Sequence, residues 1–397
     1  MDNPALTIGL AMALGMMSQV IARKFHLPGI VVLLAAGVIF GPDGLSWIQP
    51  SSLGPALQII VGFAVAVILF EGGMNLRISR IKREELAIRG LITIGALITL
   101  IGGTLAALLI LGWDFRTSIL FGTLIIVTGP TVITPLLKRL RLHHGVSTVL
   151  EAEGILLDAI GAIVAVVALE IALSPSGLSF IKGIFHIVSR LTIGTIMGIA
   201  GGGLLTLLFR IRKLIPDGLE NVFILSWVFA LFQLANAASP ESGIAAVTIA
   251  GMTIGNSKTY IQKELLEFKE QLTVLMIGML FILLAADVRI TDIQLLGLKG
   301  ILTVLFLMLV IRPLSVFVAT ANSDLDTRHK LLLSWIAPRG IVAAAVASLF
   351  AFELNQHGYD GAQLRALVFL LITMTVLSAG ITGGWISSLL GLRRKSE

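Results

Sequence analysis

The chain has 397 residues, 56% of them apolar and 13% charged, with a mean hydropathy of +0.98 and a formal charge of +6. A soluble domain carries about 25% charged residues, so this composition excludes a water-soluble fold and points to an all-α polytopic membrane protein. Cysteine is absent, which excludes disulfides, thiolate metal sites and cysteine nucleophiles and leaves the compartment open; the basic residues fall in short clusters between apolar runs, a pattern of cytoplasmic loops and not of a nucleic-acid surface.

A membrane-spanning helix needs about 20 residues. Apolar runs at 4–22, 28–41, 55–76, 87–112, 116–138, 146–173, 189–209, 219–237, 242–256, 266–287, 294–319, 328–353 and 364–391 predict about thirteen transmembrane helices, the second and ninth being short. The first run has no basic stretch before it and no small-residue cleavage site after it, so it reads as a retained helix and not a signal peptide. Basic clusters follow on one side: Arg23-Lys24, Arg77 to Arg83, Lys138 to Arg141, Arg210 to Lys213, Lys258 and Lys263, Arg328 and Lys330, and Arg393 to Lys395. The opposite loops (Gly41 to Gly54, Ser174 to Ser179, Ala237 to Ser242, Leu354 to Gly361) hold almost no Lys or Arg, which places the N-terminus outside and the C-terminus in the cytoplasm. Lys182, His186 and Arg190 recur every four residues, so the stretch from Ser179 to Arg190 is expected to start as an amphipathic segment at the interface.

Thirteen spans divide into six, a linker and six. Residues 1–173 are expected to form the first repeat, 174–214 the interfacial stretch with its linker helix, and 215–397 the second repeat, all within one transmembrane domain. Because the linker is a single span, the second half enters the membrane from the opposite side, giving two inverted six-helix repeats.

The fifth span carries Thr128-Gly129-Pro130-Thr131 at its centre, and the twelfth, fifth in its own half, carries Pro338-Arg339-Gly340. Proline removes a backbone hydrogen bond, glycine loosens the chain, and exposed backbone survives at mid-membrane only around a cavity or within protein. Two broken helices at matching places, crossing near mid-membrane, point to a transport site; two independent proline kinks are the alternative.

The sixth span holds Asp158 within Leu156-Leu157-Asp158-Ala159-Ile160-Gly161. A carboxylate there costs on the order of 3 kcal/mol or more unless it meets water, a cation or a partner. At 100° per residue Glu151 lies within about 20° of Asp158, and Glu153 about 140° away. Asp158 can therefore face an aqueous cavity while Glu153 faces another helix, with Arg339 as its expected partner. Glu71, near the cytoplasmic end of span three, is either part of the site or a helix-end acid balancing Arg77 and Arg80. Glu151 is expected to be solvated beside His143 and His144, and Glu170 and Asp287 to lie at the interface. Arg312, buried next to Pro313, has no assigned partner. A carboxylate in a low-dielectric cavity holds either a proton or a cation, so one site suffices for obligatory exchange.

At these residues the chain resembles the monovalent cation/proton antiporter superfamily, in its sodium/proton exchanger branch, over nearly its whole length. Phe70-Glu71-Gly72-Gly73 is similar to a Phe-Glu-Gly-Gly of the third helix, Thr128-Gly129-Pro130 stands where the family has Thr-Asp-Pro, Glu151 to Asp158 resembles Glu-Gly-Glu-Ser-x-x-Asn-Asp, and Arg339-Gly340 matches the Arg-Gly of the second break. The resemblance implies that Asp158 binds the transported monovalent cation and the proton, with Glu71, Thr128 and Thr131 helping, and that Glu153 and Arg339 form a core ion pair. It also implies a homodimer with a mobile core from spans 4–6 and 11–13. A single acid where other members have two adjacent ones implies electroneutral exchange. Relatives often carry a cytoplasmic regulatory domain after the last helix, so this chain is expected to be a short member or the membrane part of a longer one. Leu157, Gly154 and Gly129 replace the family's Asn, Ser and Asp, which leaves Asp158 with fewer neighbouring oxygens.

The expected function is thus exchange of Na⁺ or K⁺ for H⁺ in a prokaryotic inner membrane, with no cofactor. A channel-like K⁺ efflux path and a Na⁺-coupled organic anion symporter are the alternatives. No His-Glu-x-x-His, Gly-x-Ser-x-Gly or protease-like Asp pair suggests an enzyme.

Overall fold

The computed structural model describes residues 3–25, 27–129, 133, 136, 137, 140, 144–173, 179–211, 215, 216, 219–257, 262–337 and 339–392, the side chains of 144, 179–181 and 262–270 aside. Among these residues the regular structure is helical throughout. The helices are α1 (Pro4–Lys24), α2 (Gly29–Phe40), α3 (Ala56–Asn75), α4 (Glu85–Leu111), α5 (Phe115–Leu124), α6 (His144–Leu173), α7 (Ser179–Arg210), α8 (Glu220–Ala238), α9 (Ser242–Gly255), α10 (Gln262–Asp287), α11 (Ile290–Ala319), α12 (Thr327–Trp335), α13 (Ile341–Gln356) and α14 (Ala362–Leu389). Eight of them are long and apolar enough to cross a bilayer, and four shorter ones are equally apolar. The chain is a multi-pass integral membrane protein.

Local chemistry sets the helix ends. Asn3 caps α1 by accepting the Ala5 and Leu6 N–H groups, with Pro4 at the first helical position. Asp114 caps α5 through the Thr117 N–H, and Asp326 caps α12 through the Thr327 N–H. In the loop after α2, Asp43 accepts the Ile290 N–H at 2.6 Å and the Arg289 guanidinium at 2.8 Å. Burial opposes ionisation of that carboxyl, but these donors hold it below the usual aspartate range.

The outward faces are apolar. On α4, Leu97, Ile101, Leu105 and Leu109 repeat every four residues and are 47–76% exposed, a stripe that only lipid accommodates. Inside, packing divides the helices into two bundles. One unites α1, α2, α3, α7, α8, α9 and α10; the other unites α4, α5, α6 and α11 to α14. Helices α7 and α9 fit through small residues: a Cβ on Gly194, Gly198 or Gly202 would lie 2.5–2.9 Å from the Ser242 O, Ala246 O or Ala250 Cα. Small residues let membrane helices approach closely, and dispersion then drives their association.

The stretch from Ser179 to Arg190 is the first part of α7, which runs unbroken to Arg210. Of the four-residue repeat, Lys182 and His186 are exposed and Arg190 alone is buried. Arg190 is 4% exposed and binds both carboxylate oxygens of Glu170 on α6, at 2.7 and 2.9 Å, with His186 3.9 Å from the same carboxylate. Asp287 likewise pairs with Arg365 of α14 at 2.5 Å. The two acids expected at the interface are thus ion-pair partners that join helices.

Candidate ion-binding site

Two helices stop in mid-bundle, for reasons visible in their residues. Helix α5 ends at Leu124, where the β-branched run Ile125-Ile126-Val127-Thr128 meets Gly129 and the following proline, which disfavours helical backbone before it. Helix α12 ends at Trp335, and after Ile336, Ala337, Arg339 and Gly340 the chain resumes as α13 at Ile341. The two interruptions meet at Gly129 and Gly340: a Cβ placed on either glycine would overlap the Cα of the other. That contact leaves no room for a side chain at either position. Pro130, Thr131 and Pro338 lie outside the described residues, so of the crossing motifs the structure describes Thr128, Gly129, Arg339 and Gly340.

Helix α6 lies along the first interruption. The Thr128 hydroxyl, 2% exposed, donates to the Glu153 carbonyl at 3.3 Å and lies 3.5 Å from that of Gly154. One face further along, a Cβ on Gly161 would come within 3.0 Å of Val127 Cγ2 and 3.2 Å of its backbone. Positions 154, 158 and 161 are spaced four and three apart, so they share one helix face. Asp158 is therefore set toward the broken segment, between its two points of contact. It is fully buried, and neither carboxylate oxygen has a hydrogen-bond partner among the described residues. An ionised carboxylate in that state is very costly, and a proton or a cation on it would remove that cost.

Glu153, 2% exposed, points elsewhere, as the helix geometry requires. Its carboxylate is gripped by Arg312 of α11, Nη1 to Oε1 at 2.5 Å and Nη2 to Oε2 at 2.9 Å, and the same Nη2 donates to the Leu333 carbonyl of α12 at 3.2 Å. The sequence pointed to Arg339 for this role. Arg339 instead donates to the Ile126 carbonyl at 3.5 Å. The difference has a physical cause. Residues 307–311 of α11 form a wide π turn immediately before Arg312, a feature frequent at functional positions that resets which side chains face inward. The position of Arg312 beside Pro313 was the available signal.

Glu71 lines a separate small pocket between α3, α8 and α10, with Phe70, Asn221, Val228 and Leu272 among its neighbours and none of the crossing residues. Leu157 is buried as packing. Among the described residues, the site therefore centres on Asp158, Thr128 and the backbone of the break.

A Gly340→Ala substitution is expected to cost about 1–3 kcal/mol by overpacking and to reduce transport sharply, because the Cβ forces the two interruptions apart. Gly9→Ala is the control, since a Cβ there meets nothing within 4 Å. Thermal unfolding and flux measurements on both variants check this; equal behaviour would refute the contact.

A buried carboxylate against two crossed, interrupted helices in a polytopic helical bundle defines the architecture of a secondary transporter. The chain belongs to the transmembrane sodium/hydrogen exchanger family, whose model matches residues 9–391. It is 28% identical over 392 residues to the K(+)/H(+) antiporter NhaP2 of Shewanella oneidensis, covering 95% of this chain and 65% of that protein. It is also 28% identical over 370 residues to Na(+)/H(+) antiporter 1 of Methanocaldococcus jannaschii, covering 88% of this chain and 84% of that one. The solved structure of the sodium proton antiporter MjNhaP1 from Methanocaldococcus jannaschii at pH 8 superposes with a TM-score of 0.84 at 24% identity, over 97% of this chain and 98% of that one. The chain thus spans about two thirds of the length of the Shewanella relative.

Proposed function

We propose that this protein exchanges a monovalent cation, Na⁺ or K⁺, for H⁺, with the two competing for Asp158. The observation that carries the reading is the Asp158 carboxylate, fully buried against the interrupted helix with neither oxygen hydrogen-bonded among the described residues. A proton and a cation satisfy such a group equally well in kind but exclude one another, and exclusive occupancy turns alternating access into antiport. Glu153 and Arg312 neutralise each other in a bidentate pair, which leaves Asp158 as the one unpaired acid of α6 at the described crossing residues and supports electroneutral one-for-one exchange. Thr128, the backbone around Gly129, and Thr131 are the further ligands we assign; Glu71 would join them from across the bundle boundary.

Thirteen spans in two inverted repeats fit the helix order, with α12 and α13 counted as one broken span and α5 as the start of the other. The contact groups support a moving unit of α4–α6 and α11–α14 against the remaining helices. The basic clusters support a cytoplasmic C-terminus, and a homodimer of the unmoving bundles completes the reading.

Proteoliposomes carrying a pH dye test it. Na⁺, Li⁺ or K⁺ gradients should drive proton movement, and the half-saturating cation concentration should rise about tenfold per unit fall in pH wherever the proton competes. Saturable cation flux without proton movement would sink the antiport reading and select a channel-like path.

A further inference from the structure

A small pocket bounded by α4, α5, α11, α12 and α14 is lined by Arg312, Arg339, Thr99, Ser334, Trp335 and Thr375, with no α6 residue in its lining. Its charges do not balance. Two guanidinium groups line it, and guanidinium stays charged in proteins. The one carboxylate in reach, Glu153, is taken up by the Arg312 fork. Arg339 is 7% exposed, and its single hydrogen bond to a described residue is the 3.5 Å contact to the Ile126 carbonyl; its Nε has no partner, and neither does the Nε of Arg312. Asp158 does not serve it, since neither of that residue's oxygens accepts a hydrogen bond from a described residue. The polar neighbours do not serve it either. The Thr99, Thr375 and Ser334 hydroxyls donate to carbonyls of their own helices, and the Trp335 indole donates to Thr382. Arg312 lies close enough to repel it and Glu153 close enough to attract it, but the Glu153 carboxylate is held by the Arg312 fork.

A buried, uncompensated cation costs several kcal/mol, and an anion in hydrogen-bond contact removes that cost. We propose that this cavity binds a monovalent anion on the Arg339 guanidinium, either a dissolved halide or the headgroup of an anionic lipid. The anion would sit apart from the cation site and neutralise a buried guanidinium that forms no ion pair with a described carboxylate. The cation-exchange reading does not enter this argument, and its test reads binding, not transport.

The full chain, purified and delipidated in neutral detergent, should bind radiolabelled chloride at one per chain, with bromide competing. Its melting temperature should rise saturably when chloride replaces gluconate at constant Na⁺, and Arg339→Gln should weaken binding by at least about tenfold. If the headgroup is the occupant, phosphatidylglycerol added in gluconate gives the stabilisation and chloride adds none beyond it. Wild-type protein that responds to neither chloride nor phosphatidylglycerol overturns the proposal, as does Arg339→Gln binding with wild-type affinity. The wild-type binding measurement decides the matter alone should the variant fail to fold.

Discussion

Asp158→Asn brings cation-driven proton movement down to the level of protein-free liposomes while leaving the protein folded. Asparagine matches the shape of aspartate and carries no titrating proton, so the variant loses both exclusive occupants at once. Removing a buried ionisable group from a site where no described residue hydrogen-bonds it relieves a cost, so the melting temperature should hold or rise. The wild type, in contrast, should gain stability as RT ln(1 + [cation]/Kd), about 2.7 kcal/mol at a hundredfold excess over Kd. The variant's melting temperature should be flat across the same titration. Full exchange in Asp158→Asn would move the transport site elsewhere, and a retained cation response would move the binding site.

Arg312→Leu destabilises the protein by about 3–5 kcal/mol, because it leaves the Glu153 carboxylate buried without its cation. Glu153→Leu does the same to Arg312. The double variant recovers much of both losses, since two well-packed leucines in place of a buried pair are often neutral or better. Arg339→Leu, which breaks one long bond to the Ile126 carbonyl, should show no comparable coupling to Glu153. Thermal unfolding of the four combinations at each arginine forms two double-mutant cycles. A larger coupling between Glu153 and Arg339 than between Glu153 and Arg312 would restore the pairing expected from the sequence.

The two arginines show where one-dimensional reading ends. Helix periodicity correctly sent Glu153 and Asp158 to different faces, because 3.6 residues per turn is a property of the segment itself. Which arginine meets Glu153 depends on a π turn in another helix, a property no local pattern announces. The breaks were readable for the same local reason, since a β-branched run ending in Gly129-Pro130 cannot continue a helix comfortably. Their meeting at Gly129 and Gly340 was not readable in atomic terms, although it explains the smallness of both residues. Likewise Lys182, His186 and Arg190 form a polar stripe that water and a protein carboxylate satisfy equally well. That Arg190 pairs with Glu170 of α6 depends on a packed neighbour that the segment's own pattern does not name. Asp158 needed no such context, because its apolar neighbours alone made it costly.

Helix α7 carries an implication for the surrounding bilayer. Its apolar portion, Lys182–Arg210, has 29 residues, about 43 Å of helix set against roughly 30 Å of hydrocarbon, long enough to span with some tilt. A thicker membrane straightens such a helix and a thinner one flattens it, at fractions of a kcal/mol per ångström. Because Arg190 clasps Glu170 near the far end of α6, and Asp158 sits on that same helix, acyl-chain length becomes a mechanical input to the carboxylate. Reconstitution in lipids of graded chain length should therefore tune the protein's turnover even where no lipid touches its binding site.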